Sequence, residues 1–156
     1  MRYFIAIVAG GLLLASCKKD KYTTIPQITY KSIVNNAVDQ SIPVSQGGET
    51  KISFSLTDAE GDLGFDEGKD TSYIYIKSLL TNDQDSVLFP DLTAISKKDF
   101  KATVTFALPS SILKCRTLPG NISHIDTIYY EVYVKDFEKN KSNVIRTGDP
   151  VFFRCQ

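Results

Sequence analysis

Lys51-Ile52-Ser53-Phe54-Ser55-Leu56-Thr57 alternates polar and apolar residues at every step. A period of two places Ile52, Phe54 and Leu56 on one face of an extended strand and leaves the other face wet. Segments of this kind recur down the chain between clusters of Gly, Pro, Asn and Asp, and no helical period of useful length interrupts them. Strands are expected over 25–34, 51–57, 71–80, 86–90, 102–108, 126–135 and 142–155, the last broken at Gly148-Asp149-Pro150. About seven short strands with turn signals at this spacing predict an all-β, two-sheet antiparallel sandwich, its strands labelled A to G in chain order.

The first sixteen residues do not fit that pattern. Arg2 precedes a twelve-residue apolar run, Tyr3 to Leu14, with small residues after it. This is a secretory signal, too short to remain as a finished membrane span. Leu14-Ala15-Ser16-Cys17 resembles a bacterial lipobox, in which signal peptidase II cuts before the cysteine and its thiol carries diacylglycerol. The resemblance implies lipidation of Cys17, a signal over 1–16, a tether over 17–23 and a folded domain over 24–156. Each buried methylene is worth about 0.8 kcal/mol, so two or three acyl chains anchor durably. The plain alternative is cleavage at another site with Cys17 a simple thiol. Ser16-Cys17-Lys18-Lys19-Asp20 is similar to the start of Bacteroidota-type lipoproteins, which implies an outer-membrane anchor, on either its periplasmic or its external side.

Removing residues 1–16 leaves 140 residues, enough for one domain with a real core. The 18 basic and 18 acidic side chains become 17 and 18 once Arg2 is lost, so the mature chain carries −1. Near-neutral charge without a basic cluster beyond the tether argues against nucleic acid as a partner. Two cysteines remain, Cys115 and Cys155, in a compartment that permits disulfides. In the A to G scheme they fall at the same end, so they are expected to pair; two free thiols are the alternative.

Tyr130, Val132 and Val134 at alternate positions, following Leu118-Pro119-Gly120, resemble the fibronectin type III pattern, with Tyr130 in the tyrosine-corner role. The stretch between Gly120 and Tyr130 is longer than that pattern has. Asp58-Ala59-Glu60-Gly61-Asp62-Leu63-Gly64 and the Val134–Asn143 stretch are similar to Bacteroidota lipoproteins with one such domain. These resemblances imply an immunoglobulin- or fibronectin III-like sandwich and lend no activity.

Three constellations carry candidate chemistry. In the B–C loop Asp58, Glu60 and Asp62 alternate, followed by Asp66, Glu67 and Asp70 among glycines. Calcium takes six to eight oxygens, and glycine lets backbone carbonyls join them. The loop is no EF-hand, because Leu63 stands where glycine is needed and Lys69 where the bidentate glutamate belongs. The F–G loop is expected at the same end, bringing Asp136, Glu138 and Asn140 toward Asp58, Glu60 and Asp62 as a calcium site. A solvated polar turn, offset by Lys135, Lys139 and Lys141, is the alternative. Second, Tyr73 and Tyr75 on strand C and Tyr129 and Tyr133 on F are expected to share one outer surface. That surface suits a glycan or an envelope protein, or is ordinary cross-strand pairing. Third, Ser123, His124 and Asp126 look triad-like, yet strand neighbours point to opposite faces and there is no nucleophile elbow. No Walker, zinc or dinucleotide motif occurs.

The chain therefore reads as a lipid-anchored, non-enzymatic binding or accessory module of the cell envelope, with calcium as a candidate stabiliser. A glycan-binding protein using its tyrosine face and a structural envelope component are the rivals.

Overall fold

The computed structural model describes residues 21–64, 71–90, 98–120 and 122–156. Cys17 and the signal, together with Asp66, Glu67 and Asp70, lie outside the described residues. The rest is an all-β, sandwich-like fold with strands β1 (Gln27–Val34), β2 (Ala37–Asp39), β3 (Glu49–Asp58), β4 (Tyr73–Ser78), β5 (Gln84–Leu88), β6 (Phe100–Pro109), β7 (His124–Ile128), β8 (Tyr130–Lys135), β9 (Ile145–Arg146) and β10 (Val151–Cys155).

One sheet has the order β1-β3-β6 and a second β5-β4-β8-β9, both antiparallel throughout. Their apolar stripes face each other. Ile52, Phe54 and Leu56 from β3, Val104 and Phe106 from β6, Ile74 and Ile76 from β4, and Val132 and Val134 from β8 are all buried in one cluster. Each fully buried side chain of this size is worth about 1.5–3 kcal/mol, and that term holds the sheets together.

Two expectations need correction. The segment 126–135 is two strands, not one. The pairing changes at Tyr129, whose carbonyl accepts from the Leu79 amide at 2.9 Å, and the chain then pairs with β4 and β9 instead of β10. The last segment breaks likewise at Gly148-Asp149-Pro150, so β10 and β7, joined by β2, form a third small sheet. Two sheets thus become three. The break is held by packing: a Cβ on Gly148 would sit 2.9 Å from the Tyr30 ring, and the Tyr30 hydroxyl donates to Asp149 Oδ2 at 2.7 Å. The short segment labelled D, here β5, pairs with β4. Its hairpin through Asn82, at φ +62°, makes that pairing local and leaves no crossover.

At one end, the N-terminal segment enters past the β3–β4 loop. The Ala59 amide donates to Thr23 O at 3.0 Å, and the Lys21 amide to Asp99 Oδ1 at 2.9 Å. The end where the N-terminal segment enters is therefore also the acidic end.

Candidate functional site

The alternation of β3 ends on Asp58, an inward position that an apolar residue would ordinarily fill. The alternation of β8 likewise continues inward to Asp136. Both are 0% exposed, because each strand carries its carboxylate into the core just before its loop begins. Gly61, at φ +66°, turns the first loop back so that its amide donates to Asp58 Oδ2. The Asn140 amide donates to Asp136 Oδ1 at 2.7 Å. The loops are joined by the Phe137 amide, which donates to Asp62 O at 2.9 Å. After these bonds, Asp58 Oδ1, Asp62 Oδ1 and Asp136 Oδ2 are buried with no hydrogen-bond partner.

Above this floor is a rim. One carboxylate oxygen from each of Glu60, Asp62 and Glu138 lies within 4.8 Å of the other two. Glu60 and Glu138 are exposed and Asp62 is half-buried, so Asp62 belongs to both layers. The structure thus brings together five of the six residues expected from sequence by their carboxylates. Asn140 takes part through its backbone amide. Two of the three lysines expected to offset this charge lie over tyrosine rings: Lys135 Nζ is 5.3 Å from the Tyr75 ring centre and Lys141 Nζ 4.0 Å from that of Tyr133.

Burial raises the carboxyl pKa of Asp58 and of Asp62. Desolvation, with the nearby Asp62 and Asp136 charges, pushes Asp58 up to about 6 against the Gly61 N–H. Desolvation and Asp136 also raise Asp62. A folded value above the ordinary 3.8 contributes stability that is full below 3.8 and lost as pH rises through about 6. In chelator, the melting temperature should therefore be higher at about pH 5 than at about pH 7.5, and Asp58→Asn should flatten the difference. A wild-type melting temperature that rises over that interval would contradict this.

The second surface is the outer face of β4 and β8. Register places Tyr75 opposite Tyr133, and the rings stack 4.7 Å apart with 6° between planes. Tyr73 tilts against Tyr75 at 6.4 Å, and the Arg146 guanidinium lies 4.6 Å from the Tyr129 ring centre. Ring contacts join Tyr73, Tyr75 and Tyr133 on this face, whereas Tyr129 lies just before β8 and meets Arg146.

At the opposite end from the acidic loops, Cys115 and Cys155 are joined by a disulfide, with Cα atoms 5.9 Å apart. Beside it is a group that sequence reasoning undervalued. Asp126 is buried; it accepts from the Arg116 amide at 2.7 Å and from Arg116 Nε at 3.0 Å, with His124 Nε2 at 3.3 Å. Burial pushes its carboxyl up, but the Arg116 bonds outweigh that and hold it below its ordinary value. Ser123 Oγ donates instead to Cys155 O at 3.0 Å, so Ser123, His124 and Asp126 form no relay. An inward Asp two residues before a buried Ile was the available signal for this cluster.

No protein-family model matches the chain, and no curated protein matches it. Among solved structures it is similar to β-glucosidase from Listeria innocua in complex with glucose, with a TM-score of 0.32 and 12% identity. The same enzyme in complex with gluconolactone gives a TM-score of 0.32 and 13% identity. Each comparison covers 82% of this chain and 16% of the other. A likeness this loose carries no argument about activity.

Proposed function

We propose that the protein is a lipid-anchored, non-enzymatic module of the immunoglobulin or fibronectin III kind that holds a protein partner in the cell envelope. The anchor rests on Cys17 and its preceding Leu-Ala-Ser. The finer fold reading is supported by the three-on-four division of strands and by β5, which takes the position beside C that variable-type domains also fill.

The observation that carries the binding role is the tyrosine face. Tyr75 and Tyr133 cover each other on one side, and Lys135 and Lys141 approach their rings. Sugar stacking needs an open ring face, whereas a protein contact uses ring edges, hydroxyls and flanking cations. Tyrosine and arginine are the residues enriched at such contacts. The arrangement therefore favours a protein over a glycan.

Two variants test this reading. Cys17→Ala should leave unprocessed precursor or release the domain from membranes. Normal processing with retention after a high-salt wash would defeat the anchor. Lys135→Glu with Lys141→Glu should shift the protein from a larger complex to free monomer on native electrophoresis of detergent-solubilised envelope. Unchanged migration would defeat the partner face, and binding of the purified domain to a glycan array would favour the sugar reading.

A further inference from the structure

We infer that the acidic end of the sandwich is a calcium site, with Asp58, Asp62 and Asp136 as its buried floor and Glu60 and Glu138 as its solvent-facing rim. A cluster of acids alone is common on protein surfaces. Here the distinguishing fact is that two of these carboxylates are fully buried, and each keeps one oxygen without a hydrogen-bond partner. A buried carboxylate oxygen left unpaired costs more than a buried hydrogen-bonded one, and buried charges are ordinarily paired or bound to metal. Asp62, which also belongs to the rim, supplies a third such oxygen, so the unpartnered oxygens come from both loops.

The surrounding bonds orient them. Gly61 and Asn140 each hold the other oxygen of Asp58 and Asp136 by a backbone amide, so the free oxygens are fixed by main chain. The Phe137-to-Asp62 bond keeps the two loops in register. Floor and rim then offer carboxylates only, with no imidazole or thiolate. An all-oxygen set suits a hard cation, and zinc prefers nitrogen and sulfur. Calcium tolerates irregular geometry and a high ligand number, whereas magnesium demands a near-octahedral shell and holds its waters. Five carboxylates drawn from two loops, some of them open to water, match calcium. The ion would tie the β3–β4 loop to the β8–β9 turn at the end where the N-terminal segment enters.

The test uses the full chain in detergent, stripped with chelator and titrated with calcium chloride by calorimetry and thermal unfolding. A partly open site of this kind should bind with a dissociation constant of about 10⁻⁴ to 10⁻³ M and raise the melting temperature by a few degrees at about 10 mM. Asp58→Asn and Asp136→Asn should each abolish that rise. Neither should lower the melting temperature in chelator, because asparagine keeps an oxygen for the backbone amide and removes a buried acid whose other oxygen has no partner, so loss of the response cannot be loss of the fold. Glu138→Gln should weaken binding several-fold without abolishing it. The inference is overturned by no response at about 10 mM calcium, by a full response in both asparagine variants, or by an equal response to magnesium.

Discussion

Replacing Cys115 and Cys155 together by alanine should lower the free energy of unfolding by about 4 kcal/mol. The bridge spans a sequence separation of 40 residues, and closing a loop of that length removes conformational freedom mainly from the unfolded chain. What it joins matters equally. Cys155 ends β10 and is buried, while Cys115 lies in the connection leaving β6, so the bond ties the small β2-β10-β7 sheet to the main sandwich. Beyond the main chain itself, no other disulfide does so among the described residues. Domains of this size are stable by about 5–15 kcal/mol, so the loss is a large fraction of the total. Urea unfolding with and without reductant measures it. A difference below about 1 kcal/mol would mean that the sheet is held by packing alone.

Phe153→Ala should cost about 3–5 kcal/mol, while Phe152→Ala should cost less than about 1. The two residues are adjacent and chemically identical, so the contrast isolates burial. Phe153 is 0% exposed and belongs to the core cluster, whereas Phe152 is 41% exposed on the outer face of β10. Pairing of Phe152 with Thr127 and of Phe153 with Asp126 fixes that register. Truncating Phe153 leaves a cavity that neighbouring strands cannot close without losing their ladder. Equal losses in urea would mean that β10 is shifted by one residue, which would turn every side chain of the strand to the other face.

Much of the sandwich was legible because alternation and burial coincide. Ile52, Phe54 and Leu56 sit on the face that the period of two assigns them, as do Val104 and Phe106. The exchange of sheet between β7 and β8 was not legible. Asp126, Ile128, Tyr130, Val132 and Val134 all point inward, so the alternation runs on while only the main-chain partner changes. β2 was equally invisible, since three residues paired in parallel with β10 leave no periodic signal.

The acidic end was legible in part. Spacing marked Asp58, Glu60 and Asp62, and topology brought Asp136 and Glu138 beside them. Which carboxylates are buried depends on where β3 and β8 stop, and boundaries are poorly encoded in sequence. The destination of Lys135 and Lys141 was hidden for a similar reason. Their contact with Tyr75 and Tyr133 arises from cross-strand register between β4 and β8 and the bridge of Lys141 to Lys135.

The central claim is that the outer face of β4 and β8 holds a protein partner in the envelope. Site-specific photo-crosslinking in intact cells tests it most directly, with the probe placed in turn at Tyr73, Tyr129 and, as a control on the β2-β10-β7 sheet, Phe152. The account predicts one discrete protein adduct from positions 73 and 129 and none from 152. No adduct at 73 and 129, or the same pattern from all three positions, would contradict it.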